Sequence, residues 1–169
     1  LILMPAAVPP HKVLPENSPA QEHRLAMVER MADAMERPGA VEVSTLELER
    51  EGKSYTSDTL EAIHRQYPEA ELWLLMGTDM FLTLHLWHEP GTILRLAGIC
   101  AFGRSEQDGE DVFAPQREFL SKTYPDARIA TITLPGLVDI SSTQLRELLA
   151  RERGSECLLP SGDGYILMN

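Results

Sequence analysis

The chain has 169 residues and a mass of 18.9 kDa, with 43% apolar and 24% charged residues, a globular composition long enough to bury a core as one domain spanning 1–169. A formal charge of −11 and a pI of about 4.8 argue against a nucleic-acid or anionic-membrane partner, so any anion site must be local, built from a few basic groups and helix ends. The apolar stretch 72–87 is interrupted by Asp79 and too short to cross a bilayer, so no transmembrane helix is expected.

Leu1-Ile2-Leu3-Met4 reads as a short buried strand, closed by Pro5, with neither a basic leader nor an apolar run long enough for a signal peptide. With no initiator Met, the chain is expected to begin part-way into a domain. Pro9-Pro10-His11-Lys12 follows as a stiff loop, in which Lys12 can reach a phosphate or simply be solvated. The first helix is marked by Ser18 as N-cap, Pro19 at its first position and Gln21 completing a capping box. Its buried stripe is Leu25, Val28, Met31, Ala32 and Met35, and Pro38-Gly39 ends it. Residues 41–49 are predicted to be extended, with a turn at Glu51-Gly52-Lys53. The stretch 54–60 then leads into a helix with Leu60, Ile63 and Tyr67 on one face. Thr56, Ser57 and Asp58 are its alternative caps, and Pro68 stops it.

Leu72-Trp73-Leu74-Leu75-Met76 is a continuous apolar run, as expected of a parallel strand covered on both faces. It ends at Gly77-Thr78-Asp79. Ligands of open parallel sheets bind beyond the carboxyl ends of strands, so Asp79 is placed to bond a ribose hydroxyl, to cap the helix 80–84, or to do both. Trp87 lies in a loop, either as ordinary core or as a platform for a planar ring. A helix over 92–97 leads to a strand over 99–102 and to Gly103-Arg104 at another carboxyl end. Residues 105–111 read as an acidic loop without chemistry, 118–124 as a helix and 127–134 as the last strand.

Near the end, Asp139-Ile140-Ser141-Ser142-Thr143-Gln144-Leu145-Arg146 opens a helix in which Ser141 and Gln144 have capping-box spacing. The remaining hydroxyls, the free amides of the first turn and Arg146 make a seat for phosphate; the alternative is an ordinary capped surface helix. Cys100 and Cys157 read as idle thiols of a reducing compartment. The five histidines have no zinc-ligand spacing supported by their surroundings, and the sequence carries no G-x-S-x-G elbow and no Walker A loop. Strands alternating with helices predict an α/β fold, with a mostly parallel sheet and helices on both faces.

Taken together, Pro9-Pro10-His11-Lys12, Arg24-Leu25-Ala26-Met27, Ser54-Tyr55-Thr56-Ser57-Asp58-Thr59-Leu60, Gly77-Thr78-Asp79, Trp87 and Ile140-Ser141-Ser142-Thr143-Gln144-Leu145-Arg146 resemble bacterial nicotinate-nucleotide adenylyltransferases of the nucleotidylyl-transferase superfamily. The resemblance covers nearly the whole chain and implies a Rossmann-like fold. It also implies transfer of the adenylyl group of ATP, with Mg2+, to nicotinate mononucleotide, giving deamido-NAD and pyrophosphate in a cytoplasmic NAD-forming pathway. Trp87 would stack on the pyridine ring, and backbone around Thr56 and His88 would hold its carboxylate. Asp79 and Gly77 would serve the adenosine side, while Ser141, Ser142, Arg146, Lys12 and Arg104 would serve the phosphates of ATP. The implied partners are these small molecules, with no nucleic acid, no membrane and no protein-held metal; a homo-oligomer is compatible with the resemblance. His88 stands where the family often carries Tyr.

The family's opening strand, glycine-rich turn and His-x-Gly-His motif, a segment of roughly 30 residues, has no counterpart here. The catalytic histidines are therefore absent, and the chain by itself is expected to turn over little and to fold poorly without a central strand. Two further readings are a catalytically inactive nucleotide-binding module and a related adenylyltransferase of another substrate, such as a pantetheine phosphate.

Overall fold

The computed structural model describes residues 1–7, 19–35, 39–103, 108–132, 147–148 and 151. They belong to two compact units, Leu1–Tyr55 with Ile140–Asn169, and Thr56–Asp139.

In the first unit, β1 (Ile2–Leu3) pairs in parallel with β2 (Glu42–Val43). Between them runs α1 (Gln21–Ala34), whose Arg24 guanidinium donates to the carbonyls of Ala6 and Ala7 and ties the helix to the chain after β1. The predicted capping box does not form. Ala20 is the N-cap, and Gln21 donates its side-chain amide to the Leu48 carbonyl at 3.3 Å instead of back to its own helix. Ser18 lies outside the described residues. Leu25, Val28, Met31 and Ala32 are half-buried rather than buried, and Met35, one step past the helix, is exposed. The extended stretch expected over 41–49 is also shorter. After Val43 the hydroxyl of Ser44 accepts from the Leu46 amide, and Thr45 Oγ1 donates to Glu49 Oε1 at 2.6 Å. The Thr45 carbonyl takes the amides of Leu48 and Glu49. Short-range bonds from Ser and Thr turn the chain there, against the apolar alternation.

In the second unit the described residues form three parallel strands in the order β3 (Leu72–Gly77), β4 (Ala97–Phe102), β5 (Ile129–Ile132). The α/β reading therefore holds. Among the described residues four helices accompany the strands: α2 (Thr56–Gln66), α3 (Thr78–Thr83), α4 (Pro90–Leu96) and α5 (Glu110–Thr123), with a 3₁₀ turn at Leu84–Leu86 after α3. Phe81, Leu84, Ile93, Ile99, Phe113 and Leu120 are its fully buried large side chains. Leu60 adds the apolar face of α2, as its spacing predicted.

β4 buries Ala97, Ile99 and Ala101 on one face and half-buries Cys100 and Phe102 on the other, whereas β3 leaves one face largely exposed. Its residues alternate, with Leu72, Leu74 and Met76 toward the core and Trp73 and Leu75 on the other face, 43% and 54% exposed. Trp73 lies over Gly98 in the paired register, where an added Cβ would come within 2.7 Å of the indole, and the Arg128 guanidinium sits 5.5 Å from the ring centre. The five-residue apolar run could not reveal this, because a strand with one covered face can still be apolar throughout.

The helix expected at 118–124 is longer and begins at Glu110, so part of the acidic stretch is its first turn. There Glu110 and Asp111 meet the positive end of the helix dipole. Arg117 on the same helix donates to Thr131 Oγ1 at 3.1 Å and pairs with Glu110, and Thr131 in turn donates to Glu110 at 3.2 Å. The hydrogen bond from Arg117 holds the Glu110 carboxyl below the usual carboxylate range. A depressed folded-state pKa contributes stability that is complete above the unfolded value and is lost as pH falls through the folded value. Glu110→Gln should therefore lose less in thermal midpoint than the parent between about pH 5 and pH 3. Parallel pH profiles of the two proteins would show Glu110 to be idle.

Candidate active site

β3, β4 and β5 end level with one another, Gly77 opposite Phe102 and Phe102 opposite Ile132. Ligands of open parallel sheets lie along such a rim. Gly77 closes β3 and is at once the N-cap of α3, in ordinary extended conformation. Thr78 is buried, and its Oγ1 donates to Asp108 Oδ2 at 2.8 Å and contacts the Phe102 carbonyl oxygen at 3.4 Å, locking the ends of β3 and β4 together. Asp79 stands next to it in the first turn of α3, exposed at the rim. Asp79 is not the N-cap of this helix, since Gly77 holds that position and Asp79 lies inside the first turn.

The chain then runs from α3 through the 3₁₀ turn into Trp87, whose amide donates to the Leu84 carbonyl at 3.1 Å. The indole is half-buried, packed against the core on one side. His88 is exposed. Glu89 takes up a left-handed conformation (φ 48°, ψ 59°) directly before Pro90, which is unfavourable for a residue with a side chain. Its carbonyl accepts from the amides of Thr92 and Ile93 at 3.0 and 3.2 Å, and its carboxylate from Thr92 Oγ1 at 3.2 Å. The loop thus leaves Trp87 through a strained helix start held by the bonds to Glu89, and backbone strain of this kind clusters at binding sites.

Thr56 is the first residue of α2, so Thr56, Ser57 and Asp58 all lie inside the helix and none is its cap. The first-turn amides of α2 and the helix dipole together favour an anion. Ser57 is 1% exposed, and its hydroxyl has no hydrogen-bond partner among the described residues. A buried unmatched hydroxyl is costly, so Ser57→Ala should raise the unfolding free energy by about 1 kcal/mol, read from urea denaturation without ligand. A drop in stability would mean that the hydroxyl has a partner.

Thr56, Gly77, Asp79, Trp87 and His88 are thus all carried by the second unit, on α2, at the β3–α3 junction and on the loop before α4. Lys12, Arg104, Ser141, Ser142 and Arg146 lie outside the described residues. Asp108 was not foreseen as a support of this rim. Asp108 falls in a stretch that reads only as an acidic loop, and nothing in its spacing marks it as the partner of Thr78.

The family model described as cytidylyltransferase-like matches residues 1–148. The chain belongs to this family. Within it, the chain is 34% identical to a Neisseria meningitidis serogroup C protein named "probable nicotinate-nucleotide adenylyltransferase", over 98% of the chain and 80% of that protein. A Shewanella protein of the same name is 36% identical over 98% of the chain and 81% of its own length. The cytidylyltransferase-like fold is also that of a Plasmodium falciparum nicotinic acid mononucleotide adenylyltransferase complexed with NaAD. That structure superposes with a TM-score of 0.72 at 17% identity, over 99% of this chain and 79% of the other. A second structure of the Plasmodium enzyme, complexed with APC, gives a TM-score of 0.68 at 17% identity over 88% of this chain and 73% of the other. A cytidylyltransferase-like chain of this branch is a nucleotidyltransferase.

Proposed function

We propose that the protein joins nicotinate mononucleotide to the adenylyl group of ATP, forming deamido-NAD and pyrophosphate. The observation that carries this reading is Trp87, an aromatic side chain half-buried on a loop bonded at both ends, in the same unit as the α2 N-terminus and Asp79. The indole supplies a face for the pyridine ring. First-turn amides of α2 at Thr56 and backbone at His88 take the pyridine carboxylate, which an acidic protein can thereby bind without a nearby cation. A nicotinamide offers no charge to those amides, so the site favours the acid. Asp79 accepts from a ribose hydroxyl of ATP, with Gly77 beside it.

In the reaction a phosphate oxygen of nicotinate mononucleotide attacks the α-phosphorus of ATP, and the bond from that phosphorus to the bridging oxygen of pyrophosphate breaks. No covalent enzyme intermediate is needed, and catalysis is by alignment and by stabilising charge on the phosphates. We assign the phosphates to Lys12, Arg104, Ser141, Ser142 and Arg146. Mg2+ enters with ATP as part of the substrate. No helix among the described residues is long and apolar enough to cross a membrane, and we place the reaction in the cytoplasm with small molecules as the partners.

The test is pyrophosphate release from ATP with nicotinate mononucleotide, with nicotinamide mononucleotide, or with neither. It is run on this chain and on one given the family's opening strand, turn and His-x-Gly-His helix ahead of Leu1. Turnover with the nicotinate substrate well above the nicotinamide one supports the reading. Pyrophosphate from neither chain would replace it with a nucleotide-binding role.

A further inference from the structure

Gln116 is a polar side chain buried in the middle of α5, among Phe113 and Leu120. Its amide nitrogen Nε2 lies 3.2 Å from the Phe81 carbonyl oxygen and 2.9 Å from His85 Nδ1. An amide NH2 has two hydrogens, and two acceptors are in reach, so both donors are satisfied in one place. Because Gln116 donates, Nδ1 is the accepting nitrogen of His85 and its ring proton sits on Nε2. The imidazole is further held edge-on to Phe119, with ring centres 5.4 Å apart.

Both acceptors belong to the few residues that lead into Trp87. Phe81 is in α3 and its carbonyl already takes the Leu84 amide, while His85 is the central residue of the 3₁₀ turn, whose end is fixed by the bond from the Trp87 amide to Leu84. A buried amide that spends both hydrogens on one helix-to-turn junction specifies the path of that junction more tightly than apolar packing could. Beyond Trp87 the chain is fixed again by the Glu89 cap on α4. The indole therefore sits between two bonded anchors.

We propose that Gln116 is a positioning residue for nicotinate mononucleotide, acting through His85 and the Phe81 carbonyl to hold Trp87 where it meets the pyridine ring. The ligand half of this rests on the adenylyltransferase reading above; the pinning of the loop does not.

The test uses Gln116→Met, which keeps the length of the side chain in an apolar setting and removes both hydrogen bonds, and His85→Phe, which removes one acceptor and keeps the ring on Phe119. Without ligand, hydrogen exchange at the Trp87 amide should speed up about tenfold in Gln116→Met while exchange in β4 stays as in the parent. An unchanged Trp87 amide overturns the proposal, whatever ligand binds. Fluorescence is then titrated in a Trp73→Phe background, so that Trp87 is the sole reporter. Gln116→Met should weaken nicotinate mononucleotide about fivefold to tenfold and leave ATP within about twofold. The double variant should be no weaker than the worse of the two single ones, because the pair acts as one unit. Equal loss for both ligands would show a merely structural role and overturn the proposal. No response of Trp87 to nicotinate mononucleotide in the parent would instead overturn the substrate reading, and with it the ligand half of the proposal.

Discussion

Replacing Phe81 with alanine should lower the unfolding free energy by about 3–5 kcal/mol. The ring is 0% exposed and meets Phe113 edge-on, with centres 5.8 Å apart and planes at 61°. Its neighbours in the core, Leu84, Ile93 and Ile99, are themselves fully buried, so little can move in to refill the space. The lost aromatic pair adds about 0.5–1.5 kcal/mol beyond the area removed from water. A loss of this size is a large share of the roughly 5–15 kcal/mol that holds an ordinary domain together. Leu86→Ala, at a side chain 69% exposed, should by contrast stay within about 0.5 kcal/mol. Urea denaturation followed by far-ultraviolet dichroism compares the two. Similar midpoints would mean that the core is not centred where α3 and α5 cross. The Phe81 variant also bears on the site, because α3 carries Asp79 at one end and delivers the chain to Trp87 at the other.

That double use of one short helix explains which features could be read from the residues alone. The order of strands and helices was legible, because Leu72-Trp73-Leu74-Leu75-Met76 and Ile99-Cys100-Ala101-Phe102 are apolar runs bounded by Pro68, Gly77 and Gly103. So was the position of Asp79, since a strand followed by Gly-Thr-Asp leads to the carboxyl rim. What failed were statements about single side chains. Gln21 has capping-box spacing but bonds Leu48; Trp73 looks like core but lies on an exposed face. In each case a contact distant in sequence decides, and local spacing carries no trace of it. Gln116 is the same lesson in reverse. A glutamine in a helix reads as surface, and only the packing of α5 against α3 shows it buried with both hydrogens spent. The placements that could be read are those of residues at an element end, and the ones that were missed depend on contacts across elements.

Trp87→Ala should weaken nicotinate mononucleotide by about tenfold to a hundredfold, the range expected when a stacked ring is worth about 1–3 kcal/mol. Trp87→Phe should recover part of the loss, since a smaller ring still offers a face. ATP binding should change little, because the groups proposed to hold it lie on other stretches of the chain. The indole is half-buried against the core, so the alanine variant also gives up apolar contact and should lose about 1–2 kcal/mol of stability. That loss alone cannot mimic the binding result, since a protein that stays folded at the assay temperature binds with its full folded population. Calorimetric titration of each ligand, beside a thermal midpoint for each variant, separates the two effects. Unchanged affinity for the nicotinate ligand would remove Trp87 from the site and leave it as core. A parallel fall for ATP would mean that the whole unit had loosened. Only the selective loss is what a stacking platform would produce, because under the proposed reading only the pyridine ligand would touch the face that has been removed.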